Sequence, residues 1–230
     1  MKKVLFRLII FFIITLLSQV YAQKAFVGVL GGPNFADLDI TFKDEASTNF
    51  DVKSKTKFGV GGLFGISFNK FLSIQLEPMY IGKGGVVTQT SSPDIYVKSN
   101  QFELPVVLKA EIGEKIRPYI IGGMYISFVL NADVETEVSH LLLTGDLTKI
   151  LEQTEYGALF GAGISIPVWK GSAFIEGRYV LGLSNLNKGG NLNLKYDDIV
   201  VAGFQTDPQD EIKTKGIRIM FGYQLPLGWE

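Results

Sequence analysis

A two-residue rhythm dominates this chain, clearest in YGALFGAGISIPVWKGSAFIEGRYVLGLSNL, residues 156–186. One parity carries Tyr156, Ala158, Phe160, Ala162, Ile164, Ile166 and Val168; the other carries Gly157, Leu159, Gly161, Gly163 and Ser165. A tight turn is predicted at Lys170-Gly171. Beyond it Ala173, Ile175, Tyr179, Leu181 and Leu183 stand against Phe174, Glu176, Arg178 and Ser184. A period of two sends successive side chains to opposite faces of a strand. Here one face is apolar and the other mixes glycine with opposite charges. Hydrocarbon outside and a crowded polar interior inside, as in a small lipid-embedded β-barrel, satisfy both faces at once.

The same rhythm recurs along the chain. Strands are predicted over residues 24–34, 56–69, 71–83, 99–111, 118–131 and 212–226. Phe58, Val60, Phe64, Ile66 and Phe68 alternate with Gly59, Gly61, Leu63, Gly65 and Ser67. Leu72, Ile74, Leu76 and Tyr80 alternate with Ser73, Gln75, Glu77 and Met79. Phe102, Leu104, Val106, Leu108 and Ala110 alternate with Glu103, Pro105, Val107 and Lys109. Near the end, Ile217, Ile219, Phe221, Tyr223 and Leu225 alternate with Arg218, Met220 and Gln224.

With the opening hairpin this makes eight strands of roughly 10 to 14 residues, the length a tilted span needs. Short turns at 69–70, 113–117 and 169–172 alternate with long loops at 35–55, 84–98, 132–155 and 187–211. Strict alternation of this kind predicts an all-β, eight-stranded antiparallel transmembrane barrel, with short periplasmic turns and long extracellular loops.

Residues 1–22, MKKVLFRLIIFFIITLLSQVYA, combine a basic start, a short apolar core and a small residue at the end. This is the pattern of a secretory signal peptide cleaved after Ala22. The barrel domain is then 23–230. The apolar core is short for a spanning helix. With helices excluded, a closed barrel is the remaining way to satisfy every backbone group in lipid.

Composition removes several function classes. The net charge of −1, with 20% charged residues, offers no basic field for nucleic acid. The absence of cysteine excludes a disulfide framework and a thiolate metal site. His140 is the one histidine. Ser139 precedes it in a predicted long loop, which falls short of a nucleophile, a base and an orienting acid held together. Acidic residues at 197, 198, 207, 210 and 211 lack the spacing of a calcium loop. Gly59-Val60-Gly61-Gly62 lacks the following helix of a phosphate-binding loop. No catalytic residue, metal ligand or cofactor is therefore assigned.

Two constellations are assigned structural roles. Glu77, Glu103, Lys109, Glu176, Arg178 and Arg218 all fall on the inward parity. Three acids and three bases in a narrow lumen are predicted to pair, because an unpaired buried charge costs several kcal/mol. Interface aromatics are predicted at strand ends: Phe68, Phe71, Trp169 and Tyr223 at the short turns, and Tyr80, Phe102, Phe128 and Tyr156 at the long loops. Within 132–155, Asp146 is predicted to cap a short helix carrying Leu147, Ile150 and Leu151, with Leu141 to Leu143 packed beneath it or lying at the membrane surface.

Three motifs carry a family resemblance. They are Phe102-Glu103-Leu104-Pro105-Val106-Val107-Leu108-Lys109, Arg117-Pro118-Tyr119-Ile120-Ile121-Gly122-Gly123, and Gly177-Arg178-Tyr179-Val180-Leu181-Gly182-Leu183-Ser184-Asn185. With Gly31-Gly32-Pro33-Asn34-Phe35 they resemble, in order and spacing, the PorT-type outer-membrane β-barrel proteins of the Bacteroidetes lineage. The resemblance implies an eight-stranded monomeric barrel in the outer membrane. It also implies a structural or interaction role, with some members assisting secretion of surface proteins. The partners expected are outer-membrane lipid and, through the long loops, secretion-system or surface proteins. The alternatives are an enzyme acting on outer-membrane lipid and a small pore.

Overall fold

The computed structural model describes residues 24–41, 51–89, 92–138, 141–197, 199–206 and 210–228. The expected signal peptide and the Ser139-His140 pair lie outside them.

The first four strands are β1 (Lys24–Thr41), β2 (Asp51–Ser67), β3 (Leu72–Leu76) and β4 (Met79–Gln89). There follow β5 (Ser92–Glu111), β6 (Arg117–Val138), β7 (Leu141–Asp146) and β8 (Thr154–Val168). The last four are β9 (Gly171–Gly182), β10 (Gly190–Tyr196), β11 (Ile199–Thr206) and β12 (Glu211–Leu227). All pairings are antiparallel within one sheet. They close into a ring: β1 to β2, β2 to β3 and β4, these to β5, then β6, β8, β9 and β12, and back to β1. The first and last strands are joined from Ala25 opposite Leu227 to Thr41 opposite Glu211.

The twelve elements depart from the eight predicted strands in two ways. The predicted strand 71–83 is interrupted at Glu77-Pro78, between β3 and β4. Its register does not break: Phe64 faces Leu76 and Gly61 faces Met79, three steps back on one strand and three forward on the other. On the opposite side Leu76 faces Val106 and Met79 faces Glu103, again in step. The cause is a missing donor. Pro78 has no N–H, nor has Pro105 on the neighbouring strand. The gap is bridged by Glu77 N–H donating to the Pro105 carbonyl at 3.0 Å and Gly62 N–H donating to the Pro78 carbonyl at 2.9 Å.

The second departure lies in the predicted loops. Residues 84–98 are mostly strand, and 132–155 and 187–211 contain β7, β10 and β11. Glycine, serine and threonine in the first of these point to a loop. Yet Val86 and Val87 pair with Lys53 and Val52, and Ile95 pairs with Thr136, so neighbouring chain supplies the ladder that composition concealed. Beyond the ring, β6 extends to pair with β7, β7 with β10, and β10 with β11. This flap has its own apolar cluster of Ala132, Val134, Leu147, Ile150 and Leu194, with Leu143, Leu151 and Leu192 against it.

Two local predictions are corrected. The β8–β9 turn sits one residue earlier than expected, at Trp169-Lys170, because Val168 pairs with Gly171. Trp169 takes φ 53 there, a left-handed conformation uncommon outside glycine. The helix expected after Asp146 is a single turn, closed by Leu151 N–H donating to the Leu147 carbonyl at 3.1 Å. It stops because Leu151 bridges to Asn187. Asp146 does cap it, accepting from Thr148 N–H at 2.8 Å. Leu141 and Leu142 are exposed while Leu143 packs on the flap cluster.

The ring has an apolar outside. Phe58 is 70% exposed, Ile120 65% and Met124 63%. Val60, Phe64, Phe160, Ile164, Ile217 and Phe221 are likewise exposed. An apolar surface this continuous is foreign to a monomer in water. The inside is filled instead by Phe26, Leu30, Leu63, Met79, Tyr119, Tyr125, Phe174 and Met220, among others. Glycines make room for them: a Cβ on Gly65 would stand 2.1 Å from the Phe26 ring, and one on Gly163 2.6 Å from the Tyr119 ring.

Candidate functional site in the lumen

The side chains predicted to point inward are all buried: Glu77, Glu103, Lys109, Glu176, Arg178 and Arg218. The structure sorts them into tiers along the lumen. Nearest the short turns, Lys109 Nζ lies 2.6 Å from Glu111, whose other oxygen is 3.1 Å from Arg117. Arg117 also donates to Ser165 Oγ at 3.0 Å and Ser172 Oγ at 2.5 Å. The Lys109 ammonium stands 4.0 Å from the centre of the Tyr119 ring, within cation–π range.

The next tier centres on Arg178. Its two terminal nitrogens donate to the two oxygens of Glu77 at 2.5 and 3.0 Å. Its Nε donates to Glu176 at 2.6 Å. Tyr119 donates its hydroxyl to the other oxygen of Glu176 at 2.8 Å. Above it, Arg218 grips Glu103 by the same fork, at 2.5 and 2.9 Å, and its Nε donates to Asn34 at 3.3 Å. Asn34 passes the chain on by donating to the Gly82 carbonyl at 2.8 Å. Paired forks of this kind combine charge with fixed geometry, which is the arginine–carboxylate speciality.

A fourth tier lies outside the residues the sequence pattern assigns to the lumen. Lys83 Nζ donates to Glu155 at 2.7 Å, and Tyr125 donates its hydroxyl to the other oxygen of Glu155 at 2.8 Å. Thr214 donates to that same oxygen in a short contact. Glu155 falls in the predicted loop 132–155, although its parity continues that of Gly157 and Leu159. Lys83 is the last residue of the predicted strand 71–83, and its parity continues that of Glu77 and Met79. Parity alone would have found both, as it would Tyr119 and Tyr125. Among the described residues, no group of three His, Asp or Glu side chains is arranged to hold a metal ion.

The chemistry available is that of a locked core. Every carboxylate in the three upper tiers has a cation, a hydroxyl or both against it. In each fork the two terminal nitrogens face one carboxylate and the Nε faces a further oxygen. The apolar side chains between the tiers fill the remaining width.

Of the predicted interface aromatics, Phe71, Tyr80, Phe102, Tyr156 and Trp169 are exposed on the outer surface. Phe68 and Tyr223 are half-buried, and Tyr223 donates its hydroxyl to the Val168 carbonyl at 3.0 Å. Tyr80 pairs with Phe102 and Phe102 with Phe128, so three aromatics stand abreast on neighbouring strands toward the long-loop end.

Comparison with known proteins agrees with this architecture. Residues 21–188 match the sequence profile described as outer membrane protein beta-barrel domain. Among curated proteins nothing matches. Among solved structures, the outer membrane protein OprG from Pseudomonas aeruginosa is similar at a TM-score of 0.50 and 12% identity, over 90% of this chain and 98% of that one. Neisserial surface protein A gives 0.45 and 12%, over 88% and 99%. Ail, the attachment invasion locus protein of Yersinia pestis, gives 0.42 and 11%, over 88% and 99%.

Proposed function

This chain belongs to the outer-membrane β-barrel domain family, and from that premise we propose that it is an eight-span barrel acting as a structural and interaction protein of the outer membrane. On this reading β3 and β4 are one span with a proline gap, since they keep one register on both neighbours. Residues 1–22 are its export signal. The exposed aromatics mark the two headgroup levels. The 13 steps from Tyr156 to Trp169, at about 3.3 Å each and a tilt of about 40°, rise roughly 33 Å, against ~30 Å of hydrocarbon.

The observation that carries the reading is the filled lumen. Arg178 with Glu77 and Arg218 with Glu103 cross the interior as buried two-pronged pairs. A cross-section closed this way supports a barrel that does not conduct. What remains for function is the outer end, where β7, β10 and β11 build an ordered flap larger than a loop. We assign to that flap the contact with secreted or surface-anchored proteins that the PorT-type resemblance implies. Photo-crosslinkers at Ile199 and Val201, both exposed on β11, should capture discrete protein partners in cells. Capture of lipopolysaccharide alone, or open-channel currents in planar bilayers, would overturn the assignment.

A further inference from the structure

Above the Lys83–Glu155 tier the lumen stops being filled. A cavity of about 180 Å³ opens between the charged plug and the flap. Its floor includes Lys83 and Thr214, both engaged with Glu155. Its walls are apolar, Val97 and Val129 from the ring among them, and Leu147, Ile150 and Leu192 close it from the flap side. The roof is held to the rim by the Leu151–Asn187 bridge and by Lys188 N–H donating to the Ile150 carbonyl at 3.0 Å.

We infer that this chamber is a binding site for a small, uncharged, mostly apolar molecule bearing one hydroxyl or carbonyl, of about the size of a phenol. Three observations set the class. The lining is almost wholly apolar, and an apolar cavity of about 150 Å³ stays dry and accepts benzene. The one cation at the floor is already paired, so a charged ligand would find no counter-charge and would bear its own desolvation. One lining residue has an unmet hydrogen-bonding group: Ser99 Oγ is buried and, among the described residues, has no hydrogen bond, and a turn about χ1 is what would offer it to a ligand. A buried hydroxyl left without a partner carries a desolvation penalty. A ligand oxygen beside Ser99 would remove that penalty and so orient the molecule. The inference goes beyond the structural and interaction role, and does not depend on whether the flap meets other proteins.

The test uses the full mature chain in lipid nanodiscs, with 4-fluorophenol and fluorobenzene as probes read by fluorine NMR. Empty nanodiscs give the lipid-partition baseline. Wild type should show saturable binding of both probes above that baseline. Val129→Trp, which fills the chamber from the ring, should abolish it. Leu192→Trp, on the flap rather than in the ring, should do the same, so the test survives if the first variant misfolds. Ser99→Ala should weaken 4-fluorophenol about fivefold, one hydrogen bond's worth, and leave fluorobenzene unchanged. The inference is overturned if wild type matches empty nanodiscs, or if folded Leu192→Trp binds as wild type does. Equal loss of both probes in Ser99→Ala would overturn the assigned hydrogen bond.

Discussion

Arg218 and Glu103 stand 115 residues apart in the chain, yet their side chains meet in a two-pronged pair at 2.5 and 2.9 Å, both wholly buried. The pair spans the lumen, so it tests the plug directly. Glu103→Ala leaves a buried guanidinium without its partner and should cost about 3–5 kcal/mol. Replacing both, as Glu103→Leu with Arg218→Met, should recover most of that loss, because the desolvation of two charges disappears with them. Urea unfolding of the refolded protein in lipid vesicles, followed by tryptophan fluorescence, measures both.

The outer wall makes a different prediction. Met124 is 63% exposed in the middle of β6, and Ile199 is 68% exposed on β11 outside the ring. Met124→Arg should destabilise the protein by about 2–4 kcal/mol in a bilayer, the cost of a cation at mid-depth. Ile199→Arg should fall within about 0.5 kcal/mol of wild type, as an exposed change in water does. The same vesicle unfolding assay compares them.

Glycine 65 is expected to be a space requirement. A Cβ there would stand 2.1 Å from the Phe26 ring. Gly65→Ala should therefore cost about 1–3 kcal/mol by overpacking. Phe26→Leu in the same chain should return part of it, which a double-mutant cycle will show as a coupling between the two sites.

The flap carries a pH dependence of known sign. Thr148 N–H donating to Asp146 holds the carboxyl below its ordinary value of 3.8, with the hydroxyl of Thr148 adding to it. A carboxyl lowered in the folded state stabilises the capped turn above pH 3.8 and loses that contribution as pH falls through and below it. Protection of the Thr148 amide from hydrogen exchange should hold near pH 6 and drop toward pH 3. In Asp146→Asn the drop should disappear.

Alternation made the ring legible. Glu77, Glu103, Arg178 and Arg218 could be turned inward from parity alone, because a strand sends every second side chain the same way. Their partners could not be read. Which acid meets which base depends on how strands stagger around a closed ring, and Arg178 finds Glu77 across 101 residues. The flap was concealed for a related reason. Residues such as Gly145 and Lys195 are poor strand formers by composition, and they become strand only when a neighbour supplies the ladder. The proline gap was concealed too, since Pro78 and Pro105 lie far apart in sequence and become neighbours only once β3, β4 and β5 are aligned.

The central claim is that odd and even residues of one strand face different media. The chain has no cysteine, so single cysteines can be placed along β8 (Thr154–Val168) and spin-labelled in bilayers. Accessibility to oxygen, which concentrates in hydrocarbon, should be high at 160, 164 and 166, whose side chains are exposed, and low at 159 and 165, whose side chains are buried. Accessibility to a water-soluble nickel chelate should be low at both sets. Equal oxygen accessibility on both parities, or chelate access at 160 and 164, would contradict a strand with lipid on one side and a filled lumen on the other.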